Sequence, residues 1–211
     1  MKVCEIFTSI QGESTYAGMP CTFIRLSGCN LRCDYCDTQY SYEEGYEVSL
    51  DELVVRVKSS GVKLVEITGG EPLLQEETPD MIRKLLDEGY KVLLETNGSL
   101  SIKNIDKRAV VIMDVKTPGS GMSGDMDFSN FALIKPSDEI KFVICSRDDY
   151  DWSKEILLRY NLPEKCIVLF SAAIGALAPS DLARWIIEDG LGVRLNVQIH
   201  KYIFGPDERM V

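Results

Sequence analysis

Short apolar segments recur along this chain, each followed by a glycine-rich or polar loop. "KLVEIT", "KVLLET", "AVVIMDV", "DEIKFVI" and "CIVLF" each carry a short apolar run, and helical patterns lie between several of them. Such strands lack the alternation of a sheet with one wet face. They require a sheet covered on both sides, built from parallel strands with crossover helices. "VCEIFTS" and "CTFIRLS" open the series as strands flanking a polar loop, and "GVRLNVQ" closes it. Helices are predicted at "LDELVVRVKSS", "TPDMIRKLLDEG", around "DYDWSKEILLRY" and at "PSDLARWIIEDG". Ser49 and Glu52 form a capping box before the first. Thr78 is read as N-cap of the second, with Pro79 in its first turn and Gly89 as its stop. No repeat, low-complexity tract or linker divides the 211 residues, so one domain over 1–211 is expected.

In α/β folds, sites form where the parallel strands end. The loops there hold the unusual residues: "GCNLRCDYCDT", "TGGEP", "TNGS", "DVKTPGSG", "SAAIGA" and "IHKY". The net charge of −10 disfavours a phosphate backbone, so no nucleic-acid partner is expected. No apolar run approaches the roughly 20 residues of a membrane span. "MKVCEIFTSIQGE" has no signal-peptide core. No membrane partner is expected, and a cytoplasmic location is.

Seven cysteines are many for a reducing compartment, where disulfides are rare. Cys4, Cys21, Cys145 and Cys166 stand apart and read as small buried hydrophobes. Cys29, Cys33 and Cys36 instead share one polar loop. Three clustered thiols fit two chemistries. Structural zinc needs a fourth ligand, here a distant cysteine or His200, the only histidine. A cube of four irons bound by three cysteines leaves one iron open to a small molecule.

The spacing C-x3-C-x2-C, the aromatic Tyr35 before the third cysteine and "GGEP" at 69–72 resemble the radical S-adenosylmethionine (SAM) superfamily. The resemblance implies that the open iron of a 4Fe–4S cluster chelates SAM and that SAM cleavage starts radical chemistry. "EIFTSIQGEST", "CTFIRLSGCNLRCDYCDT", "EITGGEPLLQ", "LLETNGS", "MDVKTPGSG" and "QIHKYIFG" extend the likeness over nearly the whole chain. They resemble the 7-carboxy-7-deazaguanine synthase family. That resemblance implies an α/β fold, a reduced radical-SAM partial (β/α) barrel with mostly parallel strands. It implies contraction of 6-carboxy-5,6,7,8-tetrahydropterin to 7-carboxy-7-deazaguanine with loss of ammonia, in queuosine-type 7-deazapurine biosynthesis. It also implies Mg2+, a homodimer and an electron-donor protein.

Carried over residue by residue, the resemblance makes Cys29, Cys33 and Cys36 the cluster ligands and Thr38 the magnesium ligand. Ile10, Gln11, Gly12, Glu13, Arg25, Thr68, His200 and Val211 become substrate contacts, Val211 through its carboxylate. Tyr35, Asp37, Gly70, Glu71, Asn97, Asp114, Val115, Lys116 and Ser171 fall on the SAM side. Simpler roles stand beside several of these. Arg25, in an apolar strand, needs an anion, either an internal carboxylate or a carboxylated substrate. Thr38 is a hard oxygen ligand or a cap hydroxyl. Glu71 and Asn97 line a pocket or start a helix and a turn. Two other functions are weighed. A glycyl-radical activase shares the radical chemistry but lacks "SIQGE" with Arg25, and a zinc-stabilised interaction module would be no enzyme.

Overall fold

The computed structural model describes residues 1–205 and 208–211. One nine-stranded sheet organises it: β1 Lys2–Ile10, β2 Pro20–Leu26, β3 Tyr46–Glu47, β4 Leu64–Gly69, β5 Lys91–Thr96, β6 Val110–Val115, β7 Glu139–Ile144, β8 Ile167–Ala172 and β9 Arg194–Asn196. The order is β3-β1-β2-β4-β5-β6-β7-β8-β9. From β2 to β9 every pairing is parallel, while β1 joins β2 and β3 antiparallel. The helices are α1 Leu50–Ser59, α2 Thr78–Asp87, α3 Arg147–Tyr160, α4 Pro179–Asp189 and α5 Ile199–Phe204. Among the described residues no α-helix crosses between β5 and β6 or between β6 and β7; the latter connection carries 3-10 turns.

Strand side chains alternate between two faces. On the outer face Ile24, Ile67, Leu94, Met113, Phe142 and Phe170 pack with Leu53, Met81, Tyr150 and Leu182 of the helices in one core. Each large side chain fully buried there is worth about 1.5–3 kcal/mol. On the inner face Cys21, Phe23, Leu64, Leu93, Val110 and Ile112 form a separate apolar cluster near the beginnings of the strands. Two positions further along, the same face carries Arg25, Glu66, Glu95 and Asp114. The helices cover the outside, and a charged layer lies over an apolar floor within.

The chain between β1 and β2 folds across the open sheet. Ser14 N–H donates to Asn196 Oδ1 at 3.0 Å, Thr15 N–H to Glu139 at 3.2 Å, and Ile199 N–H to the Gly12 carbonyl at 2.9 Å.

Several local expectations change in detail. Ser49 caps α1 by accepting from Glu52 N–H, but the reciprocal bond is absent because the Glu52 carboxylate accepts from Arg56 at 2.6 Å. Thr78 is the first residue of α2 and not its cap; its hydroxyl donates to the buried Pro72 carbonyl at 2.6 Å. Ser146 caps α3, so that helix starts before the pattern that signalled it. "IHKY", expected as loop, forms α5. Cys21 and Cys166 are buried as expected, whereas Cys4 and Cys145 are only partly covered.

Candidate active site

The concave face of the sheet lines a cavity of about 430 Å³. Its charged layer is closely paired. Lys141, buried on β7, donates to Glu13 Oε2 at 3.0 Å and to Glu95 of β5, and lies 3.9 Å from Asp114. Glu13 Oε1 also accepts from Gln198 at 2.7 Å, and Glu95 Oε2 from Thr68 at 3.0 Å. Gln11 donates to the buried Glu66, which no cation approaches within 4.0 Å among the described residues. Burial and the neighbouring Glu95 push the Glu66 carboxyl well above its usual range. Burial also opposes ionisation of Glu95, but Lys141 outweighs it and holds that carboxyl below the ordinary value.

Arg25 has an internal partner. Its Nε donates to Glu5 Oε1 at 2.7 Å, and the Tyr40 hydroxyl donates to the same oxygen at 3.0 Å. The residue nevertheless lines the cavity, with no hydrogen bond from its terminal nitrogens among the described residues. His200 lies against Gly12, where an added Cβ would stand 1.8 Å from Nδ1, so only glycine fits this approach. Burial lowers the imidazole pKa, against the pull of Glu13, and favours the neutral ring.

At the mouth, Cys29, Cys33 and Cys36 are free, partly covered thiols lining the same cavity. Among the described residues, no three His, Cys, Asp or Glu side chains gather around a point suited to one ion. A single zinc needs its ligands within about 2.3 Å of one centre. Beside the thiols the Tyr35 hydroxyl and Asp114 Oδ1 are buried without hydrogen-bond partners among the described residues. Asp114 Oδ2 accepts from Lys116 at 2.7 Å. Free thiols and orphaned polar atoms on one wall fit a cluster with a polar ligand beside it. Hard oxygens suited to magnesium lie next to them: the Thr38 hydroxyl caps no helix and donates to Asp37 at 2.8 Å.

All the expected site residues except Glu71 and Val115 face this cavity, including Ile10, Gly70, Asn97, Ser171 and Val211. Glu71 is fully buried behind it and accepts from Leu73 N–H, Thr96 Oγ1 and Asn97 N–H, so it takes the helix-start role. The Val115 side chain points into the outer core, because its parity on β6 is opposite to that of Asp114. Asn97 does both things: Oδ1 accepts from Ser99 in a turn, and the residue lines the cavity. Gly70 serves close packing, since a Cβ there would stand 1.9 Å from the Gly28 carbonyl oxygen. Glu66, Glu95 and Lys141 line the cavity without having been singled out. Their signal is a charge set among apolar residues within a strand, at an inward position.

Residues 23–161 match the model of the radical SAM superfamily. Over its full length the chain is 44% identical to the 7-carboxy-7-deazaguanine synthase of Koribacter versatilis, covering all of that protein. The chain belongs to the 7-carboxy-7-deazaguanine synthase family. The family member from Chlorobaculum tepidum is also 44% identical, with all of this chain and 97% of that protein covered. Among solved structures, QueE from Escherichia coli superposes with a TM-score of 0.78 over 93% of each chain at 22% identity, a likeness of fold. As a member of this family the chain is a radical SAM enzyme, and its mostly parallel sheet is the reduced partial barrel expected of one.

Proposed function

We propose that this enzyme contracts 6-carboxy-5,6,7,8-tetrahydropterin to 7-carboxy-7-deazaguanine with release of ammonia, in queuosine-type 7-deazapurine biosynthesis. The observation that carries this reading is one cavity holding three free thiols at its mouth and a layer of paired charges at its depth. Cys29, Cys33 and Cys36 would hold a 4Fe–4S cluster, which supplies the electron that cleaves SAM. Tyr35, Asp37, Gly70, Asn97, Asp114, Lys116 and Ser171 line the same cavity and would take SAM. Asp114 Oδ1 and the Tyr35 hydroxyl await polar partners there.

Deeper in, Arg25 keeps its terminal nitrogens for a carboxylate, which it can bind through a two-pronged contact. Glu13 and Thr68 present oxygens suited to the N–H groups of a pterin, and neutral His200 can donate or accept. Thr38, with water and a substrate oxygen, suits magnesium, which takes few protein ligands. The partners we infer are an electron-donor protein and a second copy of the chain. Among the described residues no helix is long and apolar enough to cross a membrane; a cytoplasmic location is part of the proposal.

The decisive experiment is anaerobic reconstitution with SAM, dithionite, magnesium and the carboxytetrahydropterin, followed by mass spectrometry. The deazaguanine should form only with all components present. SAM cleavage with recovery of intact pterin would refute the substrate. Thr38→Ala should abolish stimulation by magnesium while leaving iron content unchanged, and an unaltered magnesium titration would reduce Thr38 to a turn hydroxyl.

A further inference from the structure

Lys141 stands at the centre of the charged layer. It is 4% exposed, and a lysine so buried needs its charge matched. Its Nζ reaches Glu13 of the β1–β2 connection at 3.0 Å, Glu95 of β5, and Asp114 of β6 at 3.9 Å. The other cations facing this layer are otherwise engaged. Lys116 of β6 bonds Asp114 at 2.7 Å, Arg25 of β2 bonds Glu5 at 2.7 Å, and Lys201 of α5, which lines the same cavity, bonds Asp37. His200 of α5 is driven toward its neutral form by burial. The remaining acids are Glu66 of β4, held by Gln11, and Glu139 of β7, held by Thr15. Among the described residues, Lys141 is the only cation within 4.0 Å of Glu13 or Glu95.

We propose that Lys141 is a positioning residue of this active site: its ammonium clamps the carboxylates of Glu13 and Glu95 onto one wall as a pair of acceptors, which selects a substrate edge rich in N–H donors. The geometry supports the pairing. Glu13 is further braced by Gln198 at 2.7 Å and Asn196 at 3.3 Å, and Glu95 by Thr68 at 3.0 Å. A carboxylate has about four lone-pair sites, so both retain acceptor capacity toward the cavity. Burial alone would lower the lysine's pKa, but Glu13, Glu95 and Asp114 together hold it well above the ordinary value. The substrate part of the proposal rests on the synthase reading.

The test compares wild-type, Lys141→Met and Lys141→Arg enzymes, each reconstituted with its cluster. Lys141→Met should raise KM for the carboxypterin roughly 10- to 100-fold, the loss expected for a charge-assisted contact, with a smaller effect on kcat. Lys141→Arg should recover most of that loss. A second readout needs no substrate. Without Lys141, Glu66 and Glu95 lose their principal cationic neighbour and keep the weaker pull of Arg25 and Lys116 respectively, so their folded pKa values rise. Stability linked to a raised pKa is present at low pH and lost as pH rises through the folded value. The melting temperature of Lys141→Met should therefore fall between about pH 5 and pH 8 more steeply than that of wild type. Parallel profiles would overturn the proposal, as would a wild-type KM in the folded variant. Should Lys141→Met not fold, Glu95→Gln breaks the same pair from the other side. The same rise in KM is expected there, and an unchanged KM overturns the proposal. Failure of the wild-type enzyme to convert the carboxypterin would instead strike the synthase reading and leave the melting test standing.

Discussion

Replacing Gly70 by alanine tests how the "GGEP" turn supports the cysteine loop. The new Cβ would lie 1.9 Å from the Gly28 carbonyl oxygen, 2.6 Å from its carbon and 3.0 Å from Cys29 Cβ. Real Cβ contacts do not fall below 3.0 Å, so 3.0 − 1.9 = 1.1 Å of backbone displacement is required. The atoms that must move precede the first thiol of the loop. They include the carbonyl that accepts from Glu71 N–H at 2.8 Å. Losing that bond in a buried setting costs about 1–3 kcal/mol, and overpacking adds about 1–3 kcal/mol. The sum, about 2–6 kcal/mol, is a large part of a typical stability of about 5–15 kcal/mol. At about 2–4 °C per kcal/mol, the melting point should drop by roughly 4–24 °C. A ligand set displaced by an ångström is also outside the roughly 0.5 Å tolerance of a built site. Gly70→Ala should therefore lose cluster iron as well as stability, read by iron and sulfide per chain after anaerobic reconstitution. Gly124→Ala is the control, since nothing lies within 4 Å of the point its Cβ would occupy; it should stay within about 0.5 kcal/mol. Gly70→Ala with wild-type iron and melting point would refute this account.

Other perturbations follow from the same geometry. Cys29→Ala should abolish cluster iron, whereas Cys166→Ala, in the outer core, should cost stability and leave iron content unchanged; a full cluster in Cys29→Ala would exclude it as a ligand. Arg25→Ala should raise KM for the carboxypterin roughly 10- to 100-fold in folded enzyme, and loss of folding would mean that its pairing with Glu5 is its whole role. Glu66 has a folded pKa above its unfolded value, so wild-type stability falls as pH rises through that value. Glu66→Gln removes the titration and should gain stability relative to wild type from about pH 5 to pH 8 in denaturant melts, and a pH-independent difference would contradict the buried acid.

The parallel sheet was legible because its strands are apolar on both faces over most of their length, and the site because its thiols and glycines sit in loops of unlike composition. What stayed hidden depends on parity and register. Glu66, Glu95 and Lys141 are charges set among apolar residues within "KLVEIT", "KVLLET" and "DEIKFVI". Each resembles an end-of-strand polar residue until the sheet curves and turns them to one interior. Val115 shares a motif with Asp114 and Lys116, yet one step of strand alternation sends its side chain to the opposite face. Glu71 was ambiguous because one carboxylate can start a helix or line a pocket. Three donors, from Leu73, Thr96 and Asn97, decide it, and two of them lie about 25 residues away. α5 is short and lacks a side-chain cap, so no local signal announced it.

The contacts that brace Glu13 have a consequence for how the enzyme is made. Its partners Asn196 and Gln198 lie 183 and 185 residues along the chain. At roughly 5–20 residues per second, a ribosome needs about 10–40 s to travel that far. Closing a loop of that length costs about 4–5 kcal/mol of chain entropy in an unfolded polymer; prior pairing of the strands between shortens the effective loop. The thiols at 29–36 thus emerge well before the residues that brace Glu13. During that interval the loop that receives iron is accessible to whatever delivers it, and the chamber in which radicals are handled is not yet complete.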